Sequence, residues 1–203
     1  MTIDDIMRAA PVIPVLVLDG AIDPAALAET LVDAGLPVIE VTMRTPGALP
    51  AIEAMAAVPG AIVGAGTVLN ELHLAQAIDA GSRFIVSPGL TNPLALAARD
   101  SGIPFLPGVA TASDIMRGLD LGLDRFKFFP AEAAGGRAAL SALAAPFAQA
   151  RFCPTGGIRP DTASEWLDLP AVLCVGGTWF VRPGESDLAT VAGRAREVAA
   201  LRG

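Results

Sequence analysis

An apolar run followed by an amphipathic stretch recurs eight times along this chain, and that alternation restricts the possible folds more than any other feature. Pro11–Leu18 is followed by a helical pattern over Asp23–Ala34, Pro37–Val41 by Pro46–Ala57, Ala61–Val63 by Glu71–Ala80, and Arg83–Val86 by Asn92–Ser101. Then Pro104–Leu106 leads to Ser113–Leu121, Arg125–Phe129 to Arg137–Ala145, Arg151–Cys153 to Asp161–Leu167, and Val172–Val175 to Ser186–Arg202. Short continuous apolar runs are strands buried on both faces, and helices alternating with them cover a parallel sheet. Eight units of roughly 23–25 residues imply an α/β fold, a (β/α)8 TIM barrel at the compact end of that architecture. Met1–Ala10 reads as a short N-terminal helix ahead of the barrel and not as a signal peptide. An open doubly wound sheet is the alternative. The barrel is favoured because no unit opens with G-x-G-x-x-G and special residues follow nearly every strand. No linker or low-complexity segment breaks the pattern, so residues 1–203 are expected to form one domain.

Barrel strands alternate their side chains between the interior and the helix layer, and chemistry gathers at their C-terminal ends. In Arg125–Phe129, Phe126 and Phe128 suit the helix layer, which turns Arg125, Lys127 and Phe129 inward. In the second unit Ile39 and Val41 face the helices, which turns Val38, Glu40 and Thr42 inward. Glu40 and Lys127 then enter one cavity. Of the 14 basic residues, Lys127 alone is a lysine. An ammonium group in an aromatic run must reach water, find a carboxylate or give up its proton. The last outcome yields a nucleophilic amine, which arginine cannot supply. The plainer readings are a lysine paired with a surface carboxylate and a Glu40 buried in an ion pair with Lys127 or Arg44.

With no tyrosine and a single histidine, proton transfer falls to a carboxylate or water. Glu40 leads, and Asp19 and Glu132, which also follow strands, stand in reserve. His73 lies in a helical stretch, where a surface role is expected. Arg44, just past the second strand, suits a bidentate clamp on a substrate carboxylate, with a solvated loop arginine as the alternative. Glycines collect where strands end, at Gly64-Ala-Gly-Thr67, Pro88-Gly89, Pro107-Gly108, Thr155-Gly-Gly157 and Gly176-Gly-Thr178. The last two pairs follow the seventh and eighth strands, where barrels hold phosphate on backbone N–H groups.

A net charge of −7 argues against nucleic acid as a partner, so an anionic ligand must be held by local donors. Every apolar run is broken before the roughly 18 residues of a membrane span, so a soluble protein is expected, and with no basic n-region and apolar h-region opening the chain, a cytoplasmic one. Cys153 and Cys174 read as buried thiols. One histidine and no Cys/His cluster exclude a histidine-rich metal site.

Taken together, Val38-Ile-Glu-Val-Thr-Met-Arg-Thr45, Val63-Gly-Ala-Gly-Thr-Val-Leu-Asn70, Ser87-Pro-Gly-Leu90, Phe126-Lys-Phe-Phe-Pro-Ala-Glu132, Phe152-Cys-Pro-Thr-Gly-Gly-Ile158 and Val175-Gly-Gly-Thr178 resemble the family of 2-keto-3-deoxy-6-phosphogluconate (KDPG) and 4-hydroxy-2-oxoglutarate (KHG) aldolases over essentially the full length. The resemblance implies a metal- and cofactor-free Schiff-base lyase that splits KDPG into pyruvate and glyceraldehyde 3-phosphate. It implies Lys127 as the imine-forming residue, Glu40 as the proton carrier, and Arg44 and Thr67 at the pyruvate carboxylate. It further implies Thr155 at the sugar hydroxyls, Pro88 and Phe129 as pocket walls, and Gly156, Gly157, Gly176, Gly177 and Thr178 at the phosphate. Thr178 departs from the serine expected there; it keeps the hydroxyl and adds a methyl. Family members are commonly homotrimers. KHG or the C4-epimeric galactonate acid are the alternative substrates, and a phosphosugar-binding barrel without lyase activity is the alternative of another class.

Overall fold

The structure, a computed structural model, describes residues 1–202; Gly203, the last residue of the expected domain, lies outside the described residues. The described residues form nine strand segments and nine α-helices, which alternate except where β5 leads directly into β6, and every strand pairing among them is parallel. After α1 (Ile3–Arg8) come β1 (Val12–Leu16), α2 (Pro24–Asp33), β2 (Val38–Thr42), α3 (Ala48–Ala56), β3 (Ile62–Gly66), α4 (Glu71–Asp79), β4 (Phe84–Val86) and α5 (Asn92–Ser101). They are followed by β5 (Phe105–Leu106), β6 (Gly108–Val109), α6 (Ala112–Asp120), β7 (Arg125–Phe128), α7 (Gly136–Ala144), β8 (Arg151–Pro154), α8 (Ala163–Leu167), β9 (Val175–Gly177) and α9 (Leu188–Ala199). Short polar side chains start many of the helices: Asp23, Asn70 and Asp187 cap α2, α4 and α9, and Thr2–Asp5 and Thr111–Asp114 form reciprocal capping boxes.

The strands form a curled sheet in two hydrogen-bonded sets, ordered β5-β4-β3-β2-β1-β9 and β6-β7-β8. The expected fifth strand is divided at Pro107. Its first half, β5, pairs with β4, and its second half, β6, pairs with β7. Proline has no N–H to give to a ladder, although the Pro107 carbonyl still accepts from Lys127 N. The last unit also differs from expectation. Val172 makes only an isolated bridge to Phe152, and the strand proper is Val175–Gly177. In the seventh unit the expected helix is a 3-10 turn, Pro160–Thr162, leading into the five-residue α8.

Strand alternation separates two apolar clusters. Ile39, Val41, Phe126, Phe128 and Phe152 join the layer between sheet and helices; Phe126 tilts against Phe152, and Phe128 against Trp166 of α8. Ile13, Val38, Phe84, Val86, Leu106, Cys153 and Cys174 form a second cluster on the concave side, together with Ile6 and Met7 of α1. The N-terminal helix therefore seals the sheet interior at the N-terminal ends of the strands. Its Asp4 accepts hydrogen bonds from Arg8 and from Arg125 at the start of β7.

Those bonds, from Arg8 first and then Arg125, hold the Asp4 carboxyl below its ordinary value of 3.8. A depressed folded-state pKa contributes stability that is present above the unfolded value and lost as pH falls through the folded one. Asp4→Asn should lower the melting temperature at pH 7 by about 2–4 °C, for about 1 kcal/mol. The gap to wild type should close only as pH drops below 3.8, measured by thermal melts across that range.

Candidate active site

Two strands that are not neighbours in the sheet, β2 and β7, deliver Glu40 and Lys127 to the same point. Lys127 Nζ donates to Glu40 Oε1 at 3.1 Å and Oε2 at 3.4 Å, with both side chains 5% exposed. The ammonium also lies 5.3 Å from the centroid of the Phe129 ring, within reach of a cation–π attraction. Of the outcomes open to a lysine in an aromatic run, the structure takes the carboxylate partner, held in a nearly dry setting.

Room for that pair comes from a glycine. A Cβ on Gly66 would lie 2.1 Å from Glu40 Oε1, and one on Gly64 would meet the Phe84 ring at 2.5 Å. These glycines were expected in the turn after the third strand. They lie instead within β3, on the inward face, with Thr42 paired to Gly66 and Glu40 to Gly64. The next residue, Thr67, has φ +60° and is the only non-glycine with positive φ among the described residues. For a β-branched side chain this is a strained conformation, costing of order 1–3 kcal/mol.

Thr155 follows β8 as a buried residue, and Gly176 of β9 makes an isolated bridge to it. A Cβ on Gly176 would meet Thr155 Oγ1 at 2.3 Å, and one on Gly177 would meet the Trp179 ring at 2.5 Å. Gly176 and Gly177 are thus buried strand residues, not a loop after the strand as expected. Gly156 and Gly157 do form a turn, with φ +103° and +82°, held by Ala131 N donating to the Thr155 carbonyl and Glu132 N to that of Gly156. Gly157 and the exposed Thr178 line a common cavity of about 630 Å³ with Arg159, Asp161, Trp179 and Glu197. Pro88 follows β4; its carbonyl fills the place a Cβ on Gly108 would take, and the Ser87 hydroxyl donates to the Gly89 carbonyl. Arg44 is exposed on the turn after β2, and no side chain among the described residues pairs with it.

The reserve carboxylates are engaged elsewhere. Asp19 accepts from Ala21 N and Gly184 N, tying the loop after β1 to the loop before α9. The exposed Glu132 accepts from Trp166 Nε1. His73 is half-buried on α4 with its Nδ1 enclosed, so it is less of a surface residue than its helical pattern implied. Among the described residues no group of three His, Cys, Asp or Glu is placed to hold a metal ion, and no helix is long and apolar enough to cross a membrane. Sequence reasoning missed Gly66 as the space-maker for Glu40 and Arg159 as a cavity wall. Two glycines at a spacing of two on an inward strand face were the available signal for the first.

A buried primary amine beside a carboxylate, at the C-terminal ends of parallel strands, is an arrangement suited to lysine-dependent carbonyl chemistry. The match to a protein family agrees with that class: the family model described as KDPG and KHG aldolase covers residues 3–193. A 2-dehydro-3-deoxy-phosphogluconate aldolase from Zymomonas mobilis is 56% identical over 98% of this chain and 96% of its own length. A KHG/KDPG aldolase from Escherichia coli K12 is 52% identical over 88% of this chain and 84% of its own. A crystal structure of KDPG aldolase from Legionella pneumophila, with pyruvate captured as a covalent carbinolamine intermediate, superposes with a TM-score of 0.94 at 41% identity, covering 98% of this chain and 99% of that one. The chain belongs to the KDPG and KHG aldolase family.

Gly66→Ala should leave the fold in place, because the clash falls on the far end of a flexible side chain, yet push the Glu40 carboxylate aside. A displacement of about 1 Å should lower kcat about 100-fold with an unchanged circular dichroism spectrum.

Proposed function

We propose that this chain is a class I aldolase that cleaves KDPG to pyruvate and glyceraldehyde 3-phosphate, with Lys127 as the Schiff-base residue and Glu40 as the proton carrier. The buried contact between Lys127 and Glu40 carries this reading. An ammonium that donates to a carboxylate has its proton acceptor already in place. Once that proton has moved, the Lys127 lone pair adds to the C2 ketone; Glu40 then returns the proton to the C2 hydroxyl of the carbinolamine, which leaves as water, giving the protonated imine and restoring the carboxylate. Glu40, directly or through a water, takes the C4 hydroxyl proton. The C3–C4 electron pair flows into the imine, the aldehyde leaves, and an enamine remains. Glu40 returns a proton to C3, and hydrolysis frees pyruvate and Lys127.

Arg44, exposed and without a side-chain partner among the described residues, grips the carboxylate end of the substrate together with Thr67. Phe129 and Pro88 wall the pocket, Thr155 reads the sugar hydroxyls, and the turn at Gly156 and Gly157, with Gly176, Gly177 and Thr178, takes the phosphate. The reaction needs no metal or cofactor.

The two strand sets form one closed eight-unit barrel in this reading, within a single domain. Its support is the β1–β9 pairing, the shared strand through Pro107, and the Thr155–Gly176 bridge. The enzyme works in the cytoplasm, and as a homotrimer, the state its family resemblance implies. KHG is a second substrate, favoured by the E. coli relative whose name covers both activities.

The test is a comparison of kcat/KM for KDPG and KHG. KDPG should be preferred; a clear preference for KHG would overturn the substrate assignment. Glu40→Gln should lower kcat by about 10²- to 10⁴-fold. Lys127→Arg, which keeps the charge and removes the nucleophile, should abolish turnover; residual cleavage at the wild-type rate would exclude the imine.

A further inference from the structure

The cavity shared by Gly157 and Thr178 has a charged wall that backbone recognition of phosphate leaves unused. Among its lining residues Arg159 is the only cation, and Asp161 and Glu197 are the carboxylates. Asp161 holds the guanidinium in a two-point fork, Nε to Oδ1 at 3.0 Å and Nη2 to Oδ2 at 3.2 Å. The side chains of this pair are 65% and 70% exposed. Glu132 and Glu165 also lie within Coulombic reach of Arg159.

In a chain of net charge −7, this cation lines a cavity beside two positive-φ glycines, Gly156 and Gly157. A guanidinium fork matches phosphate as well as it matches carboxylate, and an ion pair this exposed holds weakly. A phosphate dianion entering the cavity would therefore compete with Asp161 for the same donors.

We propose that Arg159 is a specificity-determining residue for the phosphorylated end of the substrate, and that Asp161 both orients its guanidinium and restrains it. This inference rests on the aldolase reading above. It assigns opposite signs to the two partners: removing the cation weakens selection for phosphate, and removing its competitor strengthens it. A purely structural ion pair has no such asymmetry.

The experiment compares kcat/KM for KDPG with kcat/KM for unphosphorylated 2-keto-3-deoxygluconate in wild type, Arg159→Gln and Asp161→Asn. The phosphorylated-to-unphosphorylated ratio should fall about 3- to 10-fold in Arg159→Gln and rise about 2- to 3-fold in Asp161→Asn. Both changes should shrink in high salt, since the groups are exposed. A ratio that Arg159→Gln leaves unchanged, or that Asp161→Asn fails to raise, overturns the assignment while leaving the aldolase reading intact. If the wild type cleaves neither compound, the aldolase reading fails and this inference falls with it.

Discussion

A charged pair in the dry interior of a parallel sheet is the constraint on which the rest of this structure depends. Taking an ammonium and a carboxylate out of water costs several kcal/mol per ion, and their mutual attraction offsets that cost only with good geometry. Apolar residues of equal volume would be as stable or more so, so the Lys127–Glu40 contact is poorly explained as a stability device. The proposed role, a nucleophile with its proton acceptor already in contact, accounts for it. The surroundings fit that reading: Gly66 leaves space for the carboxylate, the Phe129 ring lies against the ammonium, and α1 closes the opposite end of the interior.

The same strands serve two purposes along their length. Toward their N-terminal ends the concave face is apolar, with Ile13, Val38, Phe84 and Cys153 packed against Ile6 and Met7 of α1. Further along, the inward residues become Glu40, Lys127 and Thr155, interleaved with Gly64, Gly66 and Gly176, whose missing side chains make room for their neighbours. Packing in the first half fixes the backbone, and that rigidity sets the separation between groups in the second half. In the proposed function the chemistry is thus built on strands, which place side chains more exactly than loops do, while the binding of anionic ends is assigned to the turns around Arg44, Gly156 and Thr178.

Much of this was legible in the sequence. Period-two alternation gave Lys127 and Glu40 their inward direction, and gave Phe126 and Phe128 theirs, because one register assigns every side chain of a strand to a face. What stayed hidden depends on contacts between strands. Nothing local distinguishes a turn glycine from one like Gly66 or Gly176, whose space is filled by a side chain from the adjacent strand. The division of the fifth strand at Pro107 likewise depends on which neighbour each half meets. Asp19 and Glu132 looked like candidate proton carriers because they follow strands; their partners, Gly184 and Trp166, lie far away in the chain.

The covalent step is the most exposed part of this account, and borohydride reduction in the presence of pyruvate tests it directly. Reduction of the imine should leave one stable secondary-amine adduct per chain, mapped by peptide mass spectrometry to Lys127. No adduct, or an adduct confined to the N-terminal amine, would contradict it.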